Sequence, residues 1–224
     1  PLEEQIAGLI HDVSHSAFSH CIDYVLEGGS EQEQSHQDNL FETFVKRSEI
    51  PQILRRYGFD VEYIVDDSHF PLKEKNLPDL CADRIDYSLR TAVLFHESEP
   101  DEVDSLLEQL TAQEGIWVFK SFASAQTYTQ LFCKLNQYYY AGLSSAVMFR
   151  SVGDCLRYAL RSGYISESDL YTTDSEVLGK IQKYLTQDAH LYSLWECMNN
   201  KRSVSTDSTT ATKRIFCKSR VVDP

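Results

Sequence analysis

From Pro78 to Phe95 the chain spaces Leu80, Ile85, Leu89, Ala92 and Val93 as one apolar stripe of a helix, with proline at the first turn. The opposite face carries Asp83, Asp86, Tyr87 and Arg90, so this helix must bury one side and offer the other to water or to a cleft. The same period returns along nearly the whole chain. Leu2, Ile6, Leu9, Ile10 and Val13 lie in a helix that runs into His11-Asp12; Leu40, Phe41, Phe44 and Val45 belong to one that starts near His36; Pro51 and Ile53 to Tyr57 make a short one. Glu102 to Leu110, Ala123 to Tyr140, Ser144 to Arg161, Asp174 to Leu185 and Asp188 to Met198 follow, punctuated by Gly142 and Gly163. Strand character is confined to Ile116-Trp117-Val118-Phe119 and to the alternating Arg214 to Cys217 and Ser219 to Val222. The pattern predicts an all-α helical bundle with a short C-terminal β-strand or hairpin. Its expected organisation is a core over residues 1–110, further helices of the same domain over 111–200, and a polar loop with a terminal strand over 201–224.

Charge and cysteine usage narrow the function classes. Lys and Arg number 21 against 34 Asp and Glu, a net charge of −13, which argues against generic nucleic-acid binding through a broad basic face. Any phosphate handled by such a chain must be met by a local basic pocket or by a metal. Apolar stretches such as Ala146 to Phe149 fall far short of the roughly 18 residues that span a bilayer, so a soluble protein with no membrane contact is expected. The 6 cysteines form no CxxC pair and no framework spacing, as reduced cytoplasmic thiols would. A homo-oligomer is compatible with all of this.

The densest chemistry lies in Leu9-Ile10-His11-Asp12-Val13-Ser14-His15-Ser16-Ala17-Phe18-Ser19-His20. An adjacent His-Asp pair at a helix end can give an imidazole nitrogen and a carboxylate oxygen to one cation, and His15 shares the His11 face if the helix continues. A ligand-free, histidine-rich helix terminus is the alternative. A second cluster, Cys81-Ala82-Asp83-Arg84-Ile85-Asp86-Tyr87, puts Asp83 and Tyr87 on one helix face. Taken by itself it reads as a solvated or salt-bridged face. Helical metal sites, however, are commonly assembled from sequence-distant ligands on facing helices.

Together the two stretches resemble the HD superfamily of metal-dependent phosphohydrolases, and more closely its dNTP triphosphohydrolase-like branch that includes the SAM-and-HD-domain enzymes. The resemblance runs through Leu9, His11-Asp12, His15, Phe18-Ser19-His20, Ser35-His36 and Asp83-Arg84-Ile85-Asp86-Tyr87. It extends to Ser168-Asp169-Leu170 with Asp174, and to Lys218-Ser219-Arg220-Val221-Val222-Asp223-Pro224, similar to the family's Arg-x-Val-Asp-Pro strand. It implies that His11, Asp12 and Asp83 bind one divalent transition metal (Fe, Mn, Zn, Ni or Co), with Mg on the substrate phosphates. It further implies that His15, Asp23 and His36 are catalytic, and that His20, Arg84 and Tyr87 contact the phosphates or sugar of a nucleotide. In such a site a cation neutralises phosphate oxygens and activates water, a protonated imidazole stabilises the departing phosphate, and Asp23 orients the imidazole.

The chain departs from that pattern at named places. The family's metal site begins with a further His upstream of the His-Asp pair; no residue before His11 supplies it, and the uncapped opening helix leads us to expect native sequence before Pro1. Gln37 stands where a Glu commonly follows the loop His, and Thr91 where an Asp reads the sugar 3′-hydroxyl. The segment Asn136 to Ala146 lacks the Arg and His expected there. His69, His96 and His190 read as surface or capping residues, Tyr138-Tyr139-Tyr140 as helix packing, and Lys213, Arg214, Lys218 and Arg220 as a solvated edge strand or an anion site. The expected function is a metal-dependent phosphohydrolase acting on a nucleotide or other small phosphorylated substrate. The alternative is a catalytically weakened HD protein that binds a nucleotide or partner as a regulator.

Overall fold

The computed structural model describes residues 1–33, 35–202 and 218–224. In chain order the elements are α1 (Leu2–Ile10), a 3-10 helix (Ser19–Tyr24), α2 (His36–Arg47), α3 (Ile50–Arg56), α4 (Val61–Val65), a 3-10 turn (Asp67–His69), α5 (Ala82–Leu94) and α6 (Pro100–Glu108). Strands β1 (Leu110–Gln113) and β2 (Ile116–Phe119) come next, then α7 (Phe122–Leu135), a π-helical turn (Asn136–Tyr140), α8 (Leu143–Arg161), a 3-10 helix (Glu167–Tyr171), α9 (Asp174–Gln182) and α10 (Ala189–Met198). The two strands pair antiparallel, Leu110 opposite Phe119 and Gln113 opposite Ile116. This is an all-α protein with a short hairpin. Among the described residues no helix is long and apolar enough to cross a membrane.

Contacts divide the chain into two compact units. The first comprises Pro1–His11, Lys46–Gly142 and Lys218–Pro224. Its core joins Leu80, Ile85, Leu89, Leu106, Tyr128, Phe132 and Val222, so the stripe on α5 is buried as its period requires. The second comprises Asp12–Val45 and the described part of Leu143–Cys217. There Ala17, Cys21, Ile22 and Val25 pack with Val152, Cys155, Leu156 and Ala159 of α8 and with Ile165, Leu170, Val177, Ile181 and Leu191. A Cβ placed on Gly153 of α8 would stand 2.5 Å from Tyr24 Cβ, so glycine allows the 3-10 helix Ser19–Tyr24 to seat on α8.

Four expectations need correction in position. The hairpin lies at Leu110–Phe119, in the middle of the chain; Lys218–Pro224 is not a strand, and Arg214 to Cys217 lies outside the described residues. Lys218–Pro224 runs instead as a strap that buries Val222, with the Asp223 amide bonded to the Pro78 carbonyl at 2.9 Å. Helix α5 begins at Ala82 rather than at Pro78, because Cys81 is extended (φ −138°, ψ 162°) and the Ala82 amide bonds the Leu72 carbonyl at 2.8 Å. Helix α1 stops at Ile10, so His15 does not continue its face, and the long helix expected over Ala123 to Tyr140 ends at Leu135 in a π turn. Among the described residues Cys21, Cys81 and Cys155 are buried free thiols, Cys197 is half-buried and Cys133 is exposed; burial pushes Cys21 and Cys155 up to about 12, which makes them poor nucleophiles.

Candidate functional site

In the first unit, the last turn of α1 and the first turn of α5 bring His11 and Asp83 together. His11 Nδ1 lies 2.7 Å from the Gly8 carbonyl oxygen, which can only accept, so Nδ1 carries the proton. His11 Nε2 then faces Asp83 Oδ1 at 3.3 Å. Two lone pairs would otherwise face each other across this contact, so it calls for either a proton or a cation shared by the two groups. A backbone carbonyl on the far ring nitrogen is the usual way to fix a metal-ligating tautomer. Asp83 in turn is set by the loop before α5. Its amide meets the Lys73 carbonyl at 3.3 Å, while Trp117 Nε1 of β2 donates to the Leu72 carbonyl at 3.0 Å, so the hairpin steadies the loop that caps α5.

Glu74 and Cys81 complete a second set of donors around Asp83, with ligand atoms within 4.8 Å of one another. Burial and the nearby Asp83 charge raise the Glu74 carboxyl, and Cys81 Sγ approaches Glu74 Oε1 at 3.5 Å. Arg84 is buried beneath them. Its Nη1 bonds the Asp79 carbonyl at 2.5 Å and Cys81 Sγ at 3.3 Å, its Nη2 bonds the Lys75 carbonyl at 3.1 Å, and its Nε is buried without a partner. The fork of Arg84 is thus engaged by the loop 75–81. Tyr87, one turn after Asp83, packs edge-on against Tyr140 at 5.5 Å. Burial pushes its phenol up to about 12 against the opposing charges of Arg220 and Arg84, so it remains a proton donor at neutral pH.

The second unit begins at Asp12, joined to His11 by a peptide bond. His15 has Nε2 3.2 Å from Asp12 Oδ1 and Nδ1 3.1 Å from Ser19 Oγ. His20 meets the His15 ring edge-to-face at 5.4 Å, and its Nδ1 lies 2.6 Å from Gln37 Nε2. His36, at the start of α2, bonds the Tyr171 hydroxyl through Nε2 at 3.0 Å. Consecutive residues of a helix point apart, so Gln37 bears on His20, whereas its sequence neighbour His36 bonds Tyr171. Asp23 is buried; Oδ1 accepts from the Ser30 amide at 3.1 Å and Oδ2 has no partner. Among the described residues no imidazole bonds Asp23, which instead holds the loop after Gly29, where a Cβ would lie 2.6 Å from the Asp23 carbonyl.

The loop between His15 and His20 is held under strain. Phe18 and Ser19 both have positive φ, 59° and 45°, a conformation that disfavours side chains. The Phe18 amide donates to Asp174 Oδ1 at 2.8 Å and the Ala17 amide to the Leu170 carbonyl at 2.8 Å. Leu170 and Asp174, noticed in the sequence only as part of a pattern, therefore clamp the segment that presents His15 and His20. Sequence reading missed Glu74, Ser19 and Tyr171 as neighbours of the site residues. A polar residue in the loop before a metal-type carboxylate is the one signal that pointed to Glu74.

Comparison with known proteins places these elements in a family. Over all 224 residues the chain is 33% identical to the uncharacterized protein YdhJ of Bacillus subtilis, of which it spans 67%. Over 111 residues, half of the chain, it is 35% identical to the metal-dependent phosphohydrolase cns2 of Cordyceps militaris, of which the match spans 31%. No family model matches, and no solved structure does. The chain belongs to the family of YdhJ. The helical fold, the His11-Asp12 pair and Asp83 at the head of α5 agree with the expected HD superfamily, and the second relative's printed name, metal-dependent phosphohydrolase, supports that expectation.

Proposed function

We propose that the protein is a metal-dependent phosphohydrolase that cleaves a phosphoester or phosphoanhydride bond of a nucleotide or related small phosphorylated compound. His11, Asp12 and Asp83 are assigned as ligands of one divalent transition metal. The observation that carries the reading is the fixed tautomer of His11, whose Nε2 lone pair is aimed at a carboxylate oxygen 3.3 Å away. Mixed imidazole and carboxylate donors suit Fe, Mn, Zn, Ni or Co. Such an ion supplies charge neutralisation at phosphate oxygens and lowers the pKa of water. His15, tied to Asp12 and Ser19, is suited to hold a proton at Nε2 and deliver it to the leaving oxygen. His20 and Tyr87 are assigned to substrate contact, and His36 to proton transfer supported by Tyr171. Asp23 is assigned a positioning role through the loop at Ser30, and Arg84, whose terminal nitrogens serve the Asp79 and Lys75 carbonyls and whose Nε is buried, is assigned to positioning the loop 75–81 beside Asp83.

Within this class the dNTP triphosphohydrolase-like branch is the finer reading. Thr91 then replaces a charged reader of the 3′-hydroxyl, so discrimination against dideoxynucleotides is expected to be loose. The test is phosphate or polyphosphate release from nucleoside mono-, di- and triphosphates with added Mn, Fe, Co, Ni or Zn. Activity lost with chelator, restored by metal and abolished in a folded Asp83→Asn variant supports the proposal. A second reading, a regulator that binds without cleaving, is favoured by one observation: the neutral amide of Gln37 on His20, which cannot stabilise an imidazolium as a carboxylate does. Binding of nucleotides without turnover under every metal would establish it instead.

A further inference from the structure

The strap Lys218–Pro224 is fastened to the first unit at three points. Asn136, 7% exposed in the π turn, donates from Nδ2 to Ser219 Oγ at 2.9 Å and accepts the Arg220 amide on Oδ1 at 3.0 Å. Val222 enters the core formed with Leu80, Ile85 and Leu89, and the Asp223 amide bonds Pro78. A buried asparagine spending both ends of its amide on one backbone segment fixes that segment in place. Between these fastenings sits Arg220. Its amide is bonded to the first residue of the turn whose last residue, Tyr140, lies against Tyr87. Its positive charge is felt by both phenols. Among the described residues its guanidinium has no ion pair and no hydrogen bond, although the chain carries 34 carboxylates to pair with it.

We propose that Arg220, together with the Tyr87 hydroxyl, forms an anion subsite that takes a phosphate group of the substrate. A guanidinium with no ion pair or hydrogen bond among the described residues, on a strap fastened at Asn136 and at Pro78, beside a phenol that stays protonated, offers donors only, in the fork geometry that phosphate oxygens accept bidentately. Tyr87 lies one turn along α5 from Asp83, a rise of about 6 Å. A phosphate at Arg220 therefore lies within a short polyphosphate chain's reach of the Asp83 carboxylate. Arg84 does not fill this role, because its terminal nitrogens already serve the Asp79 and Lys75 carbonyls. The identification of the anion with the substrate rests on the phosphohydrolase reading; the subsite itself does not.

The test is calorimetric titration of inorganic tripolyphosphate into the full chain without metal, where no turnover occurs, for the wild type, Arg220→Gln and Arg220→Lys. Arg220→Gln is expected to weaken the Kd about tenfold or more, as loss of charge-assisted hydrogen bonds requires, and Arg220→Lys to fall between. Thermal unfolding of all three identifies a variant that fails to fold, and the lysine variant, which keeps the charge and the strap, then decides. Equal Kd values in wild type and both variants, or no binding by the wild type at millimolar tripolyphosphate, overturn the subsite. Tripolyphosphate binding that depends on Arg220 without hydrolysis of any nucleotide would refute the phosphohydrolase reading and leave the subsite standing. Hydrolysis with an unchanged KM in Arg220→Gln would do the reverse.

Discussion

Replacing Gly153 by alanine tests how the second unit holds its histidine loop. Gly153 lies within α8, where alanine is the better helix former by about 1 kcal/mol, so in an open helix the change would stabilise. Here the new methyl would stand 2.5 Å from Tyr24 Cβ and 3.4 Å from Tyr24 Cγ. Carbon atoms rest roughly 3.5–4.0 Å apart, so an approach about 1 Å too close has to be relieved. Tyr24 cannot relieve it by changing rotamer, because the clashing atom is its Cβ, fixed to the backbone. The 3-10 helix Ser19–Tyr24 must move off α8, carrying His20 and Asp23 with it. Overpacking of this kind costs about 1–3 kcal/mol against about 1 kcal/mol gained in helix propensity, and a clash about 1 Å deep on a backbone-fixed atom belongs toward the upper end of that range. We expect a net loss approaching about 2 kcal/mol, read as a lower urea midpoint at unchanged m-value, together with altered His20 resonances. A Gly153→Ala protein as stable as the wild type, or more so, would refute the close seating of the 3-10 helix on α8.

Two further outcomes follow from the same contacts. Gln37→Glu places a carboxylate against His20 Nδ1, where the amide now lies at 2.6 Å, and should raise the His20 imidazole pKa by at least about one unit; an NMR titration showing no shift would dissociate the two side chains. Asp188 is held at about 2 rather than 3.8, chiefly by the Leu191 amide and then by the Tyr158 and Tyr164 hydroxyls and the His190 amide. Because its folded-state pKa is depressed, its contribution is full above about 4 and fades as pH falls through about 2. Asp188→Asn should therefore be less stable than wild type at pH 7, with the difference narrowing in urea melts between pH 4 and pH 2; a constant difference contradicts the assignment.

The periodic helices were legible because burial of one face leaves a direct trace in residue spacing: α2, α3, α5 and α8 stand within a few residues of their apolar stripes. Helix ends were less legible. The start of α5 depends on carbonyls of Leu72 and Lys73, which no local pattern around Pro78 reveals, and the π turn at Asn136 serves a strap more than eighty residues further on. The terminal alternation at Ser219 to Val222 looked like a strand because Val222 is buried and Val221 is exposed; burial by a strap leaves the same two-residue period as burial by a sheet. At the site, the His11 and Asp83 juxtaposition followed from motif resemblance alone. What could not be read was which partner each polar group takes: Arg84 was expected to face substrate and binds carbonyls, and Gln37 bears on His20, seventeen positions away, rather than on His36 beside it.

The central claim is that His11, Asp12 and Asp83 form a metal centre, and elemental analysis of protein purified without chelator tests it most directly when a neighbouring carboxylate serves as control. Glu74 and Cys81 also converge on Asp83, so Glu74→Gln separates the two arrangements. The account predicts about one transition-metal ion per chain in the wild type and in Glu74→Gln, falling at least about tenfold in His11→Ala and Asp83→Ala. Metal retained in His11→Ala but lost in Glu74→Gln, or no metal bound by the wild type after incubation with Mn, Fe, Co, Ni or Zn, would contradict it.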